Sequence, residues 1–65
     1  MANLLIIQKE NHTTIARVIE NCKTLAEAKR KGINTKNILY FKFESLKECI
    51  NEAELYSADI RRIRL

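Results

Sequence analysis

Four large apolar residues follow one another near the start of the chain, from Leu4 to Ile7, with polar residues on either side. An uninterrupted apolar run of this length is typical of a strand covered on both faces, because successive side chains of a strand point to opposite sides of its sheet. We therefore predict a first strand over residues 3–9, in the interior of a sheet.

Residues 13–22 fit two patterns. Their β-branched residues favour a strand, whereas apolar residues at helical spacing would form one face of a helix. The first set is Thr13, Thr14, Ile15, Val18 and Ile19, and the second is Ile15, Val18, Ile19, Cys22 and Leu25. We prefer the strand, which makes residues 10–12 the turn of a hairpin because asparagine tolerates the left-handed backbone of such turns. The alternative is one long helix over residues 13–31.

Capping residues predict where two short helices begin and end. Thr24 and Glu27 have the spacing of a capping box, in which the threonine hydroxyl accepts a backbone hydrogen bond and the glutamate returns one. Gly32 can supply the left-handed residue that ends this helix, with Ile33 placed for the accompanying apolar contact. The basic residues just before Gly32 oppose the negative end of the helix dipole.

A second capping box, Ser45 with Glu48, opens a helix with a single apolar stripe. The stripe consists of Leu46, Cys49, Ile50 and Ala53, and Tyr56 extends it by about a turn. Before this helix, residues 37–43 alternate as in a strand, so Leu39, Phe41 and Phe43 are expected to face the core. Residues 59–65 show an interrupted alternation, which suggests an edge strand with a bulge and arginines that discourage further pairing.

These elements predict an α/β (α+β-like) fold with the order ββαβαβ. We expect a single small sheet of three to four strands with two helices mainly on one face. If the second segment is helical, the order becomes βαβαβ with a long first helix. A chain of 65 residues with one glycine and no proline leaves almost no room for linkers, so residues 1–65 are predicted to form one domain.

Location is predicted from what the sequence lacks. Only two cysteines are present, and Met1 leads into the apolar run without a signal segment, so we expect an intracellular, cytoplasmic chain with free thiols. No apolar stretch approaches the roughly 20 residues that cross a bilayer, and Ala2 stands where myristoylation requires glycine. A membrane partner therefore has no support in the sequence.

Catalytic and metal sites have few candidate residues. Cys22, Cys49 and His12 are scattered and too few for structural zinc, and the cysteines lie on apolar stripes. The single histidine is in the predicted turn, where it has no nucleophile beside it. One glycine cannot form a phosphate-binding loop, and the capping positions of Glu27 and Glu48 explain those carboxylates. We expect no catalytic residue, no metal, no cofactor and no small-molecule substrate.

Binding to a macromolecule is suggested by charge. Twelve lysines and arginines against eight acidic residues give a net charge of +4, which favours acidic partners. The basic residues form two clusters, which are candidates for partner binding: Lys29, Arg30, Lys31 and Lys36, and Arg61, Arg62 and Arg64. Acidic residues lie between the two clusters in the sequence, namely Glu44, Glu48, Glu52, Glu54 and Asp59, and they weaken the case for a phosphate-binding patch.

Two hypotheses remain at this point. The first is a small non-enzymatic regulatory module that acts through protein contacts, including a homodimer that covers exposed sheet edges and apolar surface. Its size and its richness in Lys, Ile and Asn would suit a bacterial or phage accessory protein. The alternative is a nucleic-acid-binding protein that uses the basic clusters at residues 29–36 and 61–64.

Overall fold

Six elements follow one another in the order ββαβαβ in the computed structural model, which describes residues 2–64. They are β1 (Asn3–Glu10), β2 (Thr13–Glu20), α1 (Leu25–Arg30), β3 (Leu39–Phe43), α2 (Leu46–Leu55) and β4 (Asp59–Arg64). The predicted order is confirmed, and so is the small α/β fold with one sheet. The alternative with a long first helix is wrong, because residues 13–20 form a strand that pairs along its whole length.

A tight hairpin joins β1 to β2 and forms the centre of the sheet. The two residues of its turn, Asn11 and His12, both have left-handed backbone, with φ of 46° and 69°. Positive φ at both central residues is the geometry whose twist matches that of the paired strands. The strands then pair antiparallel, with Glu10 opposite Thr13 and Leu4 opposite Ile19.

The complete sheet has the strand order β3-β1-β2-β4. β3 pairs antiparallel with β1, and β4 pairs parallel with β2, so the sheet is mixed. The prediction of an interior β1 is confirmed. β4 is an edge strand as expected, but its register runs from Asp59 to Arg64 with one partner for each residue. The predicted bulge is therefore absent from the described part of this strand, and Leu65 lies outside the described residues.

The two helices cover opposite faces of the sheet, which corrects the prediction that both lie mainly on one face. Leu4 and Ile6 pack in a cluster with Ala28 of α1, whereas Leu5 and Ile7 pack in a second cluster with Cys49 and Ala53 of α2. We name the two sides of the sheet the α1 face and the α2 face. The continuous apolar run in β1 is explained because it supplies both clusters.

The direction of the two crossovers explains why the helices separate. The connection through α1 runs from β2 to β3, and the connection through α2 runs back across the sheet from β3 to β4. Both connections join parallel strands, and such crossovers share one hand. Two crossovers of the same hand that run in opposite directions across a sheet must place their helices on opposite faces.

In both predicted capping boxes the hydrogen bond to the N-cap side chain forms. The amide of Glu27 donates to Thr24 Oγ1 at 3.1 Å and the amide of Glu48 donates to Ser45 Oγ at 3.4 Å. Glu27 returns a bond to the amide of Lys23, one residue earlier than a strict capping box requires. At the other end of α1, Gly32 has φ of 90° and the amide of Ile33 donates to the carbonyl of Ala28, as in a Schellman motif.

The prediction for the alternating residues of β3 holds in part. Phe41 and Phe43 are half-buried against the α2 cluster, together with Tyr56 at the end of α2. Leu39 points to the same side of the sheet but is 55% exposed. It begins the strand beyond the part of the sheet that α2 covers, which a local alternation pattern does not reveal.

Two leucines provide a matched test of this fold. Leu5 is fully buried in the α2 cluster, whereas Leu55 on α2 is 77% exposed. We expect Leu5→Ala to lower the free energy of unfolding by about 2–5 kcal/mol, because the cavity adds to the lost apolar burial. Leu55→Ala is expected to change it by less than about 0.5 kcal/mol. Urea denaturation followed by circular dichroism measures both, and equal losses would contradict the two-sided core.

Candidate functional site

Basic side chains gather on the α1 face. α1 itself carries Lys29 and Arg30, and Lys31 caps its end. Lys36 belongs to the same side, because its backbone carbonyl accepts a hydrogen bond at 3.1 Å from Gln8 Nε2, and Gln8 shares a face with Ile6. The first predicted cluster of basic residues is thus brought together on one side of the sheet.

Strand register adds further cations to this side. Lys42 lies opposite Leu4, and Arg61 lies opposite Arg17, which itself lies opposite Ile6. Residues directly opposite each other in a sheet share a face, so all these cations are on the α1 face. We define the basic surface as the exposed cations of this face: Lys29, Arg30, Lys31, Lys36, Lys42 and Arg61.

The second predicted cluster is divided between the two faces. Arg61 is on the α1 face, whereas Arg62 lies opposite Val18 and Arg64 opposite Glu20, both on the α2 face. There Arg62 Nη2 is 3.0 Å from Glu20 Oε2, and Arg64 Nε is 3.6 Å from the same oxygen. These two arginines share a carboxylate and do not extend the basic surface.

The α1 face has few carboxylates, and each of them already contacts an arginine or a backbone amide. Glu10 Oε2 lies 2.9 Å from Arg17 Nη2, and Asp59 Oδ2 lies 3.7 Å from Arg61 Nη2. The side chain of Glu27 is bonded to the backbone before α1. By contrast, the four cations at residues 29–31 and 36 form no ion pair with any carboxylate of residues 2–64.

Most other acidic residues belong to the opposite side of the molecule. Glu48, Glu52 and Glu54 are on α2, which packs on the α2 face. Glu44 directly precedes this helix, and its backbone carbonyl accepts a hydrogen bond at 3.3 Å from Asn3 Nδ2. The three acidic residues of α2 therefore do not interrupt the basic surface in space, whereas Asp59 lies on the α1 face beside Arg61.

A polar network on the α1 face was not anticipated from the sequence. Arg17 Nη1 donates to Gln8 Oε1 at 2.7 Å, while Gln8 Nε2 bonds to the loop that leads into β3. Gln8 is only 7% exposed, and each of its polar atoms is satisfied. The network anchors the loop that carries Lys36. The sequence carries no distinct signal for this network, because Gln8 is the first of three successive polar residues at the end of β1.

The two cysteines and the histidine lie in three different parts of the molecule and do not form one reactive site. Cys22 packs in the α1-side cluster and Cys49 in the α2-side cluster, whereas His12 is exposed in the hairpin turn. Burial raises the pKa of both thiols, that of Cys49 to about 11, and the charge of Glu27 contributes for Cys22. A raised pKa keeps a thiol protonated at neutral pH and therefore weakly nucleophilic.

Within residues 2–64, no group of three or more histidine, cysteine or acidic residues is arranged to hold a metal ion. In the same part of the chain, no helix has the length and apolar character needed to span a membrane.

A mostly apolar groove of about 430 Å³ lies on the α2 face, beyond the end of α2. Its lining includes Ile7, Leu39 and Tyr56, with Lys9 as the one cation among its lining residues. Together with the exposed Tyr40 of β3, the groove makes this end of the sheet the more apolar part of the surface. It lies at the hairpin end of the sheet and extends to the start of β3, and its lining includes no arginine of β4.

Comparison with known proteins found no protein-family model, no curated protein and no solved structure that matches this chain.

The thiol of Cys49 provides a test of these assignments. In a Cys22→Ala variant, we expect Ellman's reagent to label Cys49 at pH 8 at least about 100-fold more slowly in the folded chain than in guanidinium. A rise in pKa from 9.0 to about 11 alone lowers the thiolate fraction by about that factor. Equal rates in the folded and unfolded chain would show that Cys49 is an accessible, reactive thiol.

Proposed function

We propose that the chain is a non-enzymatic binding module whose basic surface contacts the phosphate backbone of a nucleic acid. The observation that carries this proposal is the segregation of charge. Within residues 2–64, the cations of α1 and the following loop form no ion pair, and the three carboxylates of α2 lie across the sheet. Binding to phosphates requires cations on one surface, because each neutralised phosphate releases condensed counterions.

The arrangement also removes the main argument against this function. In the sequence, acidic residues lie between the two clusters of basic residues, and a patch built from both clusters would include them. In the fold, Glu48, Glu52 and Glu54 are on α2 and face away from the basic surface. Asp59 is on the α1 face, next to Arg61.

The proposed contact depends on the charge of the nucleic acid more than on its base sequence. α1 has six residues, and its basic side chains lie in its last turn. Flexible lysines suit phosphate contacts, which position a protein on a nucleic acid without identifying bases. On the α1 face of the strands, Tyr40 is the one aromatic residue, so stacking of successive bases has little support.

Protein contacts are the second candidate function. They are favoured by exposed apolar side chains, since Leu39 and Tyr40 are both 55% exposed at one end of the sheet and Leu55 is 77% exposed on α2. Aromatic and apolar groups of this kind are enriched in the buried centres of protein interfaces. A regulatory module that acts through such contacts would use β3 and α2 instead of the basic surface.

Salt dependence tests the first proposal. We expect the chain to bind labelled mixed-sequence DNA and RNA duplexes at low ionic strength, with a logarithm of affinity that falls linearly with the logarithm of salt concentration. The triple variant Lys31→Gln, Lys36→Gln, Arg61→Gln is expected to lose affinity and to show a shallower slope, by about 0.9 for each phosphate contact removed from B-DNA. Fluorescence anisotropy at several salt concentrations measures both quantities.

A second triple variant provides the matched control. Lys9→Gln, Lys47→Gln and Arg64→Gln remove the same charge from the α2 side of the molecule. We expect this variant to keep nearly the slope of the unmodified chain. Similar losses in the two variants would mean that net charge, and not the basic surface, governs binding. Absence of binding at low salt would refute the proposal.

A further inference from the structure

The two edges of the sheet differ in how they resist pairing with another strand. β4 carries three arginines and an aspartate among its six residues, whereas β3 carries one charged residue, Lys42, among five. Charged side chains on an edge strand are a common protection against association. β3 instead exposes Leu39 and Tyr40, and the apolar groove lies beside it.

Symmetry restricts the registers in which an edge can pair with its own copy. In an antiparallel pair that continues one sheet, the twofold axis is perpendicular to the sheet, so each residue lies opposite a residue of the same face. The two registers that pair most of β4 centre on Arg61 or Arg62 and bring like charges together. Like charges directly opposite each other destabilise a sheet.

The corresponding register of β3 is favourable at every position. With the axis at Phe41, the phenyl rings of the two copies lie opposite each other, Tyr40 lies opposite Lys42, and Leu39 lies opposite Phe43. Aromatic and apolar pairs stabilise neighbouring strands, and an ammonium group beside a tyrosine ring is attracted to its face. All five residues of the strand are paired in this register.

The free backbone groups of β3 fit the same register. The backbone amide and carbonyl groups of the even-numbered residues of β1 point toward β2. This pattern follows from the two-residue turn of the hairpin and from the hydrogen bond that the Cys22 amide donates to the Ala2 carbonyl. The odd-numbered residues of β1 therefore bond to Leu39, Phe41 and Phe43. Tyr40 and Lys42 are left with amide and carbonyl groups that point outward, and the register pairs them with each other across the axis.

The aromatic cluster on the α2 face would continue through this contact. The ring centroids of Phe41 and Phe43 are 6.4 Å apart, and those of Phe41 and Tyr56 are 6.2 Å apart. Phe41 and Phe43 are only half-buried in one chain. Pairing with a second copy would cover both rings and the exposed Leu39 with apolar side chains of the same kind.

We infer that two copies of this chain associate through their β3 strands, antiparallel and centred on Phe41, into one continuous sheet. A twofold axis perpendicular to the sheet places both α1 helices on the same side. The two basic surfaces then form one larger cationic surface. This inference rests on the edge strands and does not depend on the function of the basic surface.

Charge substitution at Tyr40 tests the register. Tyr40→Lys places an ammonium group opposite Lys42 of the second copy at both symmetric pairs, and we expect it to abolish the dimer. Leu55→Lys adds the same charge at a site exposed on α2 and is expected to leave the dimer intact. Tyr40→Lys combined with Lys42→Glu restores opposite charges across the axis and is expected to recover the dimer. Sedimentation equilibrium gives the association state, and circular dichroism checks the fold.

The dependence on salt separates this contact from binding to phosphates. Each copy has a net charge of +4, so added salt is expected to strengthen the dimer while it weakens binding to a polyanion. A chain that remains monomeric up to millimolar concentration, or a dimer unaffected by Tyr40→Lys, would overturn the inference. Loss of the dimer without recovery in the charge-exchanged variant would overturn the register.

Cross-linking provides an independent measurement. Phe41 of one copy and Phe41 of the other would form a non-hydrogen-bonded pair at the axis. Their two Cα atoms would then lie about 4.5 Å apart, within the range that a disulfide spans. We expect Phe41→Cys to form a covalent dimer under mild oxidation much faster than Leu55→Cys. Equal rates of cross-linking for the two variants would contradict a twofold axis at Phe41.

Discussion

The fold depends on β1, because the side chains of this one strand form part of two hydrophobic cores. β1 is flanked by strands on both edges and by a helix on each face, so its apolar side chains alternate between two separate clusters. A chain of this length cannot build a thick layer on either side, and each cluster relies on a short helix and a few flanking residues. The run from Leu4 to Ile7 is continuously apolar because its residues belong alternately to the two clusters.

Placement of the helices on opposite faces also determines the electrostatics. Basic residues follow α1, where they complement the dipole of its C-terminal end, and acidic residues occupy α2. Had both helices packed on one side, these charges would have alternated over a single surface. Instead the two connections place opposite charges on opposite sides of a thin sheet. Four cations of the α1 side, at residues 29–31 and 36, consequently form no ion pair among the described residues.

Much of the fold could be predicted from local patterns, because strands, caps and turns depend on residues close together in the chain. The hairpin at Asn11, the caps at Thr24 and Ser45 and the left-handed Gly32 are of this kind. The face on which each helix packs depends on strand order, which no local pattern contains. The grouping of Arg61 with Arg62 fails for a different, local reason. Their proximity in sequence suggested one patch, but adjacent residues of a strand point to opposite faces.

The parallel pairing of β4 with β2 has a consequence for the order in which the structure assembles. Ile15 pairs with Asp59, so this contact closes a long loop, whereas the β1–β2 hairpin needs only a tight turn. β4 is therefore expected to dock last and to detach first. Ile60 packs on one cluster and Ile63 on the other, so a single opening event at this strand admits water to both cores at once.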